Sequence, residues 1–245
     1  TILKGTIDIT ESEYKFPEII IIGDEKNGKS SLLENITKCS IFPKDRDFCT
    51  KQPVRVIVKN GPVKEFSVKS DDQTVKFKTE KAVYVHVSSL FKMIKGNNVS
   101  EKEITIECVS PGNYNFQFVD LPGIKSNPES LAVQTKQITE KYLSDKNNII
   151  LLAYAATIQS KTNCSAITLL EKHDRVKDTI VVTTMMDKLA SQDDIEYNTS
   201  EELFKDFNKH FFVISSDKVN EEKWFTESPF FKEELLPYTT LEKLL

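Results

Sequence analysis

The stretch EIIIIGDEKNGKSSLLENI (Glu18–Ile36) decides the fold of this 245-residue chain. Its centre, Gly23 to Ser30, satisfies the spacing G-x-x-x-x-G-K-[ST], with four isoleucines before it and a helical pattern after it. An ordinary glycine turn between a strand and a helix is one interpretation. The other is a phosphate-binding loop, because glycines let backbone N–H groups turn inward and the helix N-terminus adds partial positive charge. The full motif in its strand–loop–helix setting favours the phosphate-binding loop.

Two residues of this loop are expected to carry specific chemistry. Lys29 would reach the β- and γ-phosphates of a nucleotide, and the Ser30 hydroxyl would ligate Mg²⁺. The loop as a whole is predicted to contact the nucleotide through Asp24, Glu25, Lys26, Asn27, Gly28, Lys29, Ser30 and Ser31.

Two later strands end in acidic residues. In FQFVDLPG (Phe116–Gly123), Asp120 would hold Mg²⁺ through a water, and Gly123 would offer its backbone N–H to the γ-phosphate. In TIVVTTMMD (Thr179–Asp187), Asp187 would accept two hydrogen bonds from guanine, whereas adenine presents an acceptor at that place and would be rejected. Each could be an ordinary turn if it stood alone. After a phosphate loop they predict a guanine nucleotide site.

Apolar β-branched runs alternate with helical patterns along the chain. Continuous apolar strands belong in a sheet that is covered on both faces, so the alternation indicates an α/β domain with a mainly parallel sheet. The predicted core strands are Glu18–Ile22, Glu103–Val109, Asn115–Asp120, Asn148–Tyr154, Thr179–Thr184 and Phe211–Ser215. The predicted helices are Lys29–Lys38, Leu131–Leu143 and Asn163–His173.

The segment Pro53–Lys78 has a different pattern. Its runs VRVIV, VKEFSV and TVKFK alternate in polarity and predict an antiparallel insertion or sheet extension. The spacing from Val83 to Ile94 predicts a helix, although the alternation of valines at its start leaves a strand open there. Residues 1–15 precede the first core strand as an extension, and no linker is visible, so we expect one domain over residues 1–245.

Bulk composition narrows the functional classes. A net charge of −4 gives no basic footprint, which argues against nucleic acid as a partner. The longest apolar run, Ile149–Ala156, is too short to span a bilayer. The four cysteines are scattered without a CxxC pair, which favours reduced thiols and a cytoplasmic location.

Beyond these single motifs, the order of segments resembles the GTPase domain of the dynamin superfamily. FPEIIIIGDEKNGKSSLLENI resembles that family's first strand, phosphate loop and helix. CTKQPVRV (Cys49–Val56) resembles the switch segment that ends T-R-R-P, which makes Thr50 the switch threonine. EITIECVSPGNYNFQFVDLPGI (Glu103–Ile124) resembles the strands that enter the second switch, and TMMD (Thr184–Asp187) resembles the base motif T-K-x-D. The resemblance implies a three-layer P-loop NTPase fold of the dynamin type, with helices on both faces of the sheet.

The resemblance also implies a mechanism and partners. Thr50 would close over the γ-phosphate with its hydroxyl on Mg²⁺, and Glu25, Lys29, Thr50 and Gly123 would be the catalytic positions. GTP would be hydrolysed to GDP and phosphate, stimulated by nucleotide-dependent pairing of two such domains. The family serves membrane remodelling through a stalk and a membrane-binding element. Neither has room in this chain, so membrane contact would be indirect, and the full-length protein would be cytoplasmic or peripheral to an organelle membrane.

Four departures from the family pattern stand out: three concern the active site, and the fourth concerns the contacts between paired domains. Glu25 and Lys26 stand where glutamine and serine are usual, so the Lys26 ammonium could replace a monovalent cation, or both side chains could point to solvent. Met185 replaces the lysine whose stem covers the base. Ser215 stands where an asparagine often contacts the base, and Ile124–Ser130 is a short second switch.

These departures leave three functions open. The first is a Mg²⁺-dependent GTPase, with Thr184, Met185, Asp187 and Ser215 around the base. The second is a GTP-binding scaffold or assembly module that does not hydrolyse its nucleotide, which Glu25, Lys26, Met185 and Ser215 favour. The third is a P-loop ATPase, which Asp187 and the switch threonine oppose.

Overall fold

One sheet organises the residues that the computed structural model describes, namely 18–43, 50–96, 98–111, 115–158, 160–189, 191–200, 202–214, 221–227 and 233–239. Its strands are β1 (Ile19–Ile22), β2 (Val54–Asn60), β3 (Glu65–Ser70), β4 (Gln73–Phe77), β5 (Ile104–Ser110), β6 (Phe116–Asp120), β7 (Ile149–Ala155), β8 (Thr179–Thr184) and β9 (Lys209–Phe212). The helices in these ranges are α1 (Lys29–Thr37), α2 (Glu80–Met93), α3 (Glu129–Leu143), α4 (Ser165–Lys172), α5 (Gln192–Thr199) and α6 (Glu221–Glu227). The predicted extension over residues 1–15 and the predicted contact Ser215 lie outside the described residues.

The strand order is β4-β3-β5-β2-β6-β1-β7-β8-β9. Strands β6, β1, β7, β8 and β9 run parallel to one another, so their carboxyl ends lie at one edge of the sheet. Strand β2 runs antiparallel to β6, and its first residue, Val54, lies opposite Asp120. The segment that precedes β2 therefore reaches the same edge. The predicted α/β architecture with a mainly parallel sheet is confirmed.

The segment 53–78 is only partly an extension. Strands β3 and β4 form the antiparallel outer part of the sheet, as predicted. Strand β2 instead lies inside the sheet, parallel to β5 and antiparallel to β6. Burial alternates along β2 because every second residue, such as Arg55 and Ile57, is partly exposed, and this alternation does not require an edge position. The alternation showed which residues share a face but not which strands are neighbours.

The core has two layers of packing, one on each face of the sheet. Ile21 of β1 packs with α1 and α2 in one cluster, which includes Leu33 and Val87. Its neighbours Ile20 and Ile22 pack on the opposite face with residues of α3 and α4. Because successive strand residues point to opposite faces, a strand covered on both sides must be apolar throughout. This explains the four consecutive isoleucines before the loop.

Helix α2 decides the question left open at residues 83–87. Val83, Val87 and Phe91 recur every four residues and are all buried, whereas Val85 is 58% exposed. The Thr79 side chain accepts a hydrogen bond from the Ala82 N–H and begins the helix. The helical prediction is confirmed and the strand alternative is wrong.

Strand β9 differs from the prediction in its bounds: it covers Lys209–Phe212 rather than 211–215.

A charged network connects the starts of β1, β2 and β5 with α3. The Arg55 guanidinium lies 2.7 Å from Glu18 Oε1 and 2.6 Å from Glu103 Oε1. Tyr142 of α3 donates its hydroxyl to Glu103 Oε2 at 3.0 Å. These side chains are mostly shielded from solvent, with 18% exposure for Arg55. The network fixes the strands that carry the site.

Among the described helices, none combines the length and the apolarity that a bilayer crossing requires.

Candidate functional site

The predicted site residues follow three strands of the sheet, β6, β1 and β8, at the carboxyl edge of its parallel part. The glycine loop connects β1 to α1, Asp120 ends β6, and the base motif follows β8. Thr50, just before β2, arrives at the same edge because β2 runs against β6. In open α/β sheets, ligands bind outside the carboxyl ends of the strands, at points where the chain crosses to opposite sides. Residues far apart in sequence are therefore brought to one place.

The glycine loop is held by close backbone contacts. The Ile124 N–H donates to the Gly23 carbonyl at 3.2 Å, and the Glu25 N–H donates to the Ile124 carbonyl at 3.1 Å. A Cβ at Gly23 would lie 2.5 Å from the Ala153 carbonyl oxygen, which leaves no room for a side chain. The loop is thus fixed between β7 on one side and the segment after β6 on the other.

The end of the loop is bonded to the strand that carries the base motif. Asn27, which is 5% exposed, donates its side-chain amide to the Ala153 carbonyl at 3.3 Å. The Thr184 hydroxyl donates to the Asn27 carbonyl at 2.9 Å. Gly28 has φ +80°, in the left-handed region where glycine is favoured, and a Cβ there would lie 3.3 Å from Thr184 Oγ1. Thr184 therefore supports the phosphate loop as well as the base end of the site.

Lys29 lies with its ammonium inside the loop. Its Nζ donates to the Gly23 carbonyl at 3.0 Å and to the Asp24 carbonyl at 2.8 Å, and the residue is only 6% exposed. A buried cation surrounded by main-chain groups at a helix N-terminus is the arrangement that attracts phosphate oxygens. The predicted role of Lys29 in phosphate binding agrees with this placement.

The three predicted metal ligands lie in mutual contact. Ser30 Oγ donates to Asp120 Oδ2 at 2.8 Å, and Thr50 Oγ1 donates to the same oxygen at 2.9 Å. The two hydroxyl oxygens are 3.2 Å apart. The structure thus brings together side chains that are separated by up to 90 residues in the chain.

The chemistry of these residues suits Mg²⁺. Asp120 is fully buried, and its Oδ1 has no hydrogen-bond partner among the described residues. Burial raises the pKa of Asp120, while the Lys29 charge opposes that rise. An unsatisfied buried carboxylate oxygen beside two hydroxyls is a hard donor set, and Mg²⁺ typically takes one or two carboxylates with water and phosphate completing its shell. No group of three or more His, Cys, Asp or Glu side chains within the described ranges could hold a metal ion by itself.

The Asp24 side chain points away from the loop mouth. Its two carboxylate oxygens accept hydrogen bonds from the Ser165 N–H at 2.9 Å and the Ala166 N–H at 3.0 Å, at the start of α4. Burial raises the pKa of Asp24. A nucleotide contact from Asp24 would therefore be made by its backbone, because its carboxylate caps a helix.

The two loop residues that depart from the family pattern have different surroundings. Glu25 Oε1 lies 3.1 Å from Lys125 Nζ, so the carboxylate forms an ion pair with the segment after β6. Lys26 has φ +66° and an exposed side chain. Gly123 lies directly against Glu25, since a Cβ there would be 2.7 Å from the Glu25 Cα. Glu25 and Gly123, the two residues predicted to be catalytic in these segments, are therefore in direct backbone contact.

At the base end, Met185 and Asp187 follow β8 in a tight turn. Met185 has φ +63°, and Asp187 lies in the 3₁₀ turn Met186–Lys188, where it is partly exposed. Lys188 Nζ approaches Met185 Sδ at 3.7 Å. A narrow cleft of about 40 Å³ lies beside this turn, lined by Gly28, Ser31, Leu32, Asn35, Thr184, Met185, Val213 and Ile214. The loop residue Ser31 and the base motif therefore share one cleft.

Three residues of this site were not found from the sequence. Lys125 pairs with Glu25, Ile124 bonds the loop backbone, and Thr135 of α3 accepts the Lys125 N–H at 3.2 Å. Lys125 lies two residues after the strand-end motif Phe116–Gly123, and its charge, opposite to that of Glu25, was the one signal in the sequence. The roles of Ile124 and Thr135 depend on backbone geometry and left no mark in the pattern.

Comparison with known proteins agrees with this arrangement. Residues 19–186 match the family model described as Dynamin family. The chain is 25% identical over 246 residues to "Dynamin-like GTPase OPA1, mitochondrial" of Gallus gallus, covering 93% of this chain and 25% of that protein. It is 28% identical over 246 residues to the Danio rerio protein of that name, covering 90% of this chain and 26% of that protein.

A plant relative extends the comparison. The chain is 26% identical over 195 residues to "Dynamin-related protein 4C" of Arabidopsis thaliana, covering 74% of this chain and 28% of that protein. The chain thus spans about a quarter of the length of these curated relatives. The matched residues 19–186 make up more than half of the chain and contain the glycine loop, Thr50, Asp120 and the start of the base motif. The chain belongs to the dynamin family.

Proposed function

We propose that this chain is a GTPase domain that binds GTP with Mg²⁺ and hydrolyses it to GDP and phosphate. The observation that carries the proposal is the convergence of Ser30, Thr50 and Asp120 beside the buried Lys29 ammonium. These residues supply the groups that a nucleoside triphosphate and its divalent ion need. Family membership and relatives named as GTPases support the same activity.

Each residue has a defined part in the proposed reaction. Lys29 and the loop N–H groups hold the β- and γ-phosphates in place, and Ser30, Thr50 and Asp120 would hold Mg²⁺. When bound, Mg²⁺ would neutralise charge on the phosphate oxygens. A water oxygen forms a bond to the γ-phosphorus while the bond from that phosphorus to the β–γ bridging oxygen breaks. One water proton stays on the attacking oxygen and the other passes to a second oxygen of the phosphate product, H₂PO₄⁻, while the bridging electron pair stays on GDP.

Specificity for guanine is assigned to Asp187. Its carboxylate follows β8, at the edge of the sheet where the loop also lies, and Thr184 connects the two through the Asn27 carbonyl. A carboxylate can accept from both guanine N–H groups, and adenine would leave it unpaired. Met185 stands at the motif position of the family lysine, and its thioether would cover the base where the lysine stem usually packs.

The Lys26 ammonium is a candidate for the charge that a bound K⁺ or Na⁺ would otherwise supply. Its position next to Glu25 at the loop surface supports this part of the proposal. GTP turnover should stay within about twofold when K⁺ is replaced by a large organic cation, because the Lys26 charge belongs to the protein and no monovalent ion has to bind. A strong requirement for K⁺ would end this assignment while leaving the GTPase proposal intact.

Self-association and membrane work belong to the proposal at the level of the whole protein. We expect two such domains to pair across the nucleotide site and raise turnover, and the full-length protein to act in membrane remodelling in the cytoplasm or on an organelle membrane. Family membership supports this expectation, as does the word "mitochondrial" in the names of several relatives.

The test is phosphate release by the pure chain with Mg²⁺ and either GTP or ATP, measured across a range of protein concentrations. We expect turnover of GTP over ATP, with specific activity that rises with protein concentration. A preference for ATP would contradict the role of Asp187. Specific activity that does not depend on concentration would contradict the pairing.

One observation favours a second candidate, a GTP-binding scaffold that does not hydrolyse its nucleotide. Glu25 places a carboxylate, rather than the neutral glutamine of the family pattern, at the position expected to order the attacking water. Tight GTP binding without phosphate release at any protein concentration would establish this alternative.

A further inference from the structure

The ion pair between Glu25 and Lys125 joins the two segments that are predicted to meet the γ-phosphate. Glu25 belongs to the glycine loop, and Lys125 follows Gly123 by two residues. Their charged atoms lie 3.1 Å apart, with 29% and 22% of the respective side chains exposed. Such a pair is screened less by solvent than an exposed surface pair, for which the median stabilisation is small.

The backbone on both sides of this ion pair is fixed. The Glu25 N–H donates to the Ile124 carbonyl at 3.1 Å, and the Ile124 N–H donates to the Gly23 carbonyl at 3.2 Å. The Lys125 N–H donates at 3.2 Å to the Oγ1 atom of Thr135, which is a fully buried residue of α3. The two side chains therefore start from positions that are already set. Pairing costs the rotamer freedom of the two side chains but no further backbone entropy, because the backbone is already fixed by other contacts.

Glu25 creates an electrostatic problem that Lys125 can solve. A carboxylate in a loop that holds a triphosphate repels the γ-phosphate, and the repulsion is strong where solvent is excluded. A diphosphate lacks the group that lies nearest to this part of the loop, so the repulsion falls mainly on the triphosphate. A paired cation removes most of that repulsion and still leaves a carboxylate that can accept a hydrogen bond from water.

We propose that Lys125 is a positioning residue that neutralises and orients Glu25, so that a carboxylate can serve at the place where the family pattern has a neutral glutamine. This inference rests on the proposed GTPase function. The adjacent Lys26 is exposed, whereas the Lys125 ammonium lies against the Glu25 carboxylate. Glu25, which departs from the family pattern, and Lys125 therefore form one functional unit.

The test is a double-mutant cycle with Lys125→Met, Glu25→Gln and the double variant. Three quantities are measured for each: the Kd for a non-hydrolysable GTP analogue with Mg²⁺, the Kd for GDP, and kcat for phosphate release. Lys125→Arg is the conservative variant. Lys102→Met is the matched control, because Lys102 forms an exposed pair with Asp71 at 2.9 Å that does not involve the loop.

We expect Lys125→Met to weaken binding of the GTP analogue and to lower kcat by about tenfold each, intermediate between exposed and buried ion pairs. The GDP affinity should stay within about twofold, which also shows that the variant is folded. In the Glu25→Gln background the same change should cost less than about twofold, because no carboxylate remains to be neutralised. Lys125→Arg should keep most of the activity, and Lys102→Met should match the parent chain.

Two results would overturn the inference alone: an equal loss of GDP and GTP-analogue affinity in Lys125→Met, or an undiminished effect of that change in the Glu25→Gln background. If Lys125→Met does not fold, the Arg variant and the double variant decide. A folded double variant that binds the GTP analogue as tightly as the parent supports the pairing. A folded double variant that binds the analogue weakly opposes it. A parent chain that binds neither nucleotide would overturn the proposed function, and this inference with it. The two failures are therefore distinguishable.

Discussion

Replacing Gly123 with alanine tests the close approach between the segment after β6 and the glycine loop. A Cβ at this position would lie 2.7 Å from the Glu25 Cα and 3.0 Å from both the Glu25 nitrogen and Lys29 Nζ. Gly123 is not among the residues with positive φ, so alanine adds no backbone strain of its own. The whole effect of the substitution comes from these contacts.

The size of the effect follows from the distances. Carbon atoms in contact prefer a separation of about 3.5–4.0 Å, so the loop and the Gly123 segment must separate by roughly 0.8 Å or more. Two of the three contacted atoms are backbone, which cannot rotate away. Overpacking of this kind costs about 1–3 kcal/mol of folding free energy. A displacement of about 1 Å at reacting groups lowers turnover by about 100-fold.

The assay compares Gly123→Ala with Gly96→Ala. Gly96 has φ +64°, and a Cβ there meets nothing within 4 Å, so its alanine variant is strained by about 1 kcal/mol while the added methyl group contacts no site residue. Urea unfolding should show a loss of stability in both variants. Phosphate release from GTP should fall about 100-fold in Gly123→Ala and stay within about twofold in Gly96→Ala. Parent-like turnover in a folded Gly123→Ala variant would refute the reasoning.

Three further perturbations have defined outcomes. Burial lowers the pKa of His210 from 6.5 to about 3, so the folded state resists protonation, and stability present above pH 6.5 is lost as the pH falls. Urea unfolding at pH 7.5 and pH 5 should show about 2 kcal/mol of that loss in the parent, and His210→Phe should lack it, whereas equal pH slopes would contradict the assignment. Arg55→Met removes the guanidinium that pairs with two shielded glutamates and should lower the free energy of unfolding by about 2–4 kcal/mol, with no change refuting the network. Thr184→Val removes the donor to the Asn27 carbonyl and should weaken GTP and GDP binding alike, by about 1–3 kcal/mol in titration, whereas loss of GTP binding alone would point elsewhere.

The sequence was sufficient for those parts of the molecule whose signal is local. The isoleucine run, the glycine spacing and the leucines after it predict β1, the loop and α1 within a residue or two, because each rests on short-range backbone chemistry. The spacing of Val83, Val87 and Phe91 likewise marks one face of α2. For Asp120, the acidic end of an apolar strand sufficed to predict a position at the sheet edge.

Pairings between distant segments were not accessible in this way. The position of β2 between β5 and β6 depends on which strands lie side by side, and polarity patterns do not specify neighbours. The Asp24 carboxylate caps a helix that begins 141 residues later, so its turn away from the loop mouth could not be anticipated. Lys125 is one of 33 lysines and arginines, and only the fold shows that it pairs with Glu25.

The most direct test of the central claim is the affinity of Lys29→Ala for guanine nucleotides. Lys29 Nζ donates to the main-chain carbonyls of Gly23 and Asp24, and its charge acts on the buried Asp120, so the variant should lose about 1–3 kcal/mol of unfolding free energy and stay folded. Titration with a fluorescent GTP analogue and Mg²⁺ should show affinity lower by about 100-fold, since a charge-assisted contact to phosphate is lost from a shielded site. A folded Lys29→Ala variant that binds GTP as tightly as the parent would contradict the account of this loop as the phosphate site.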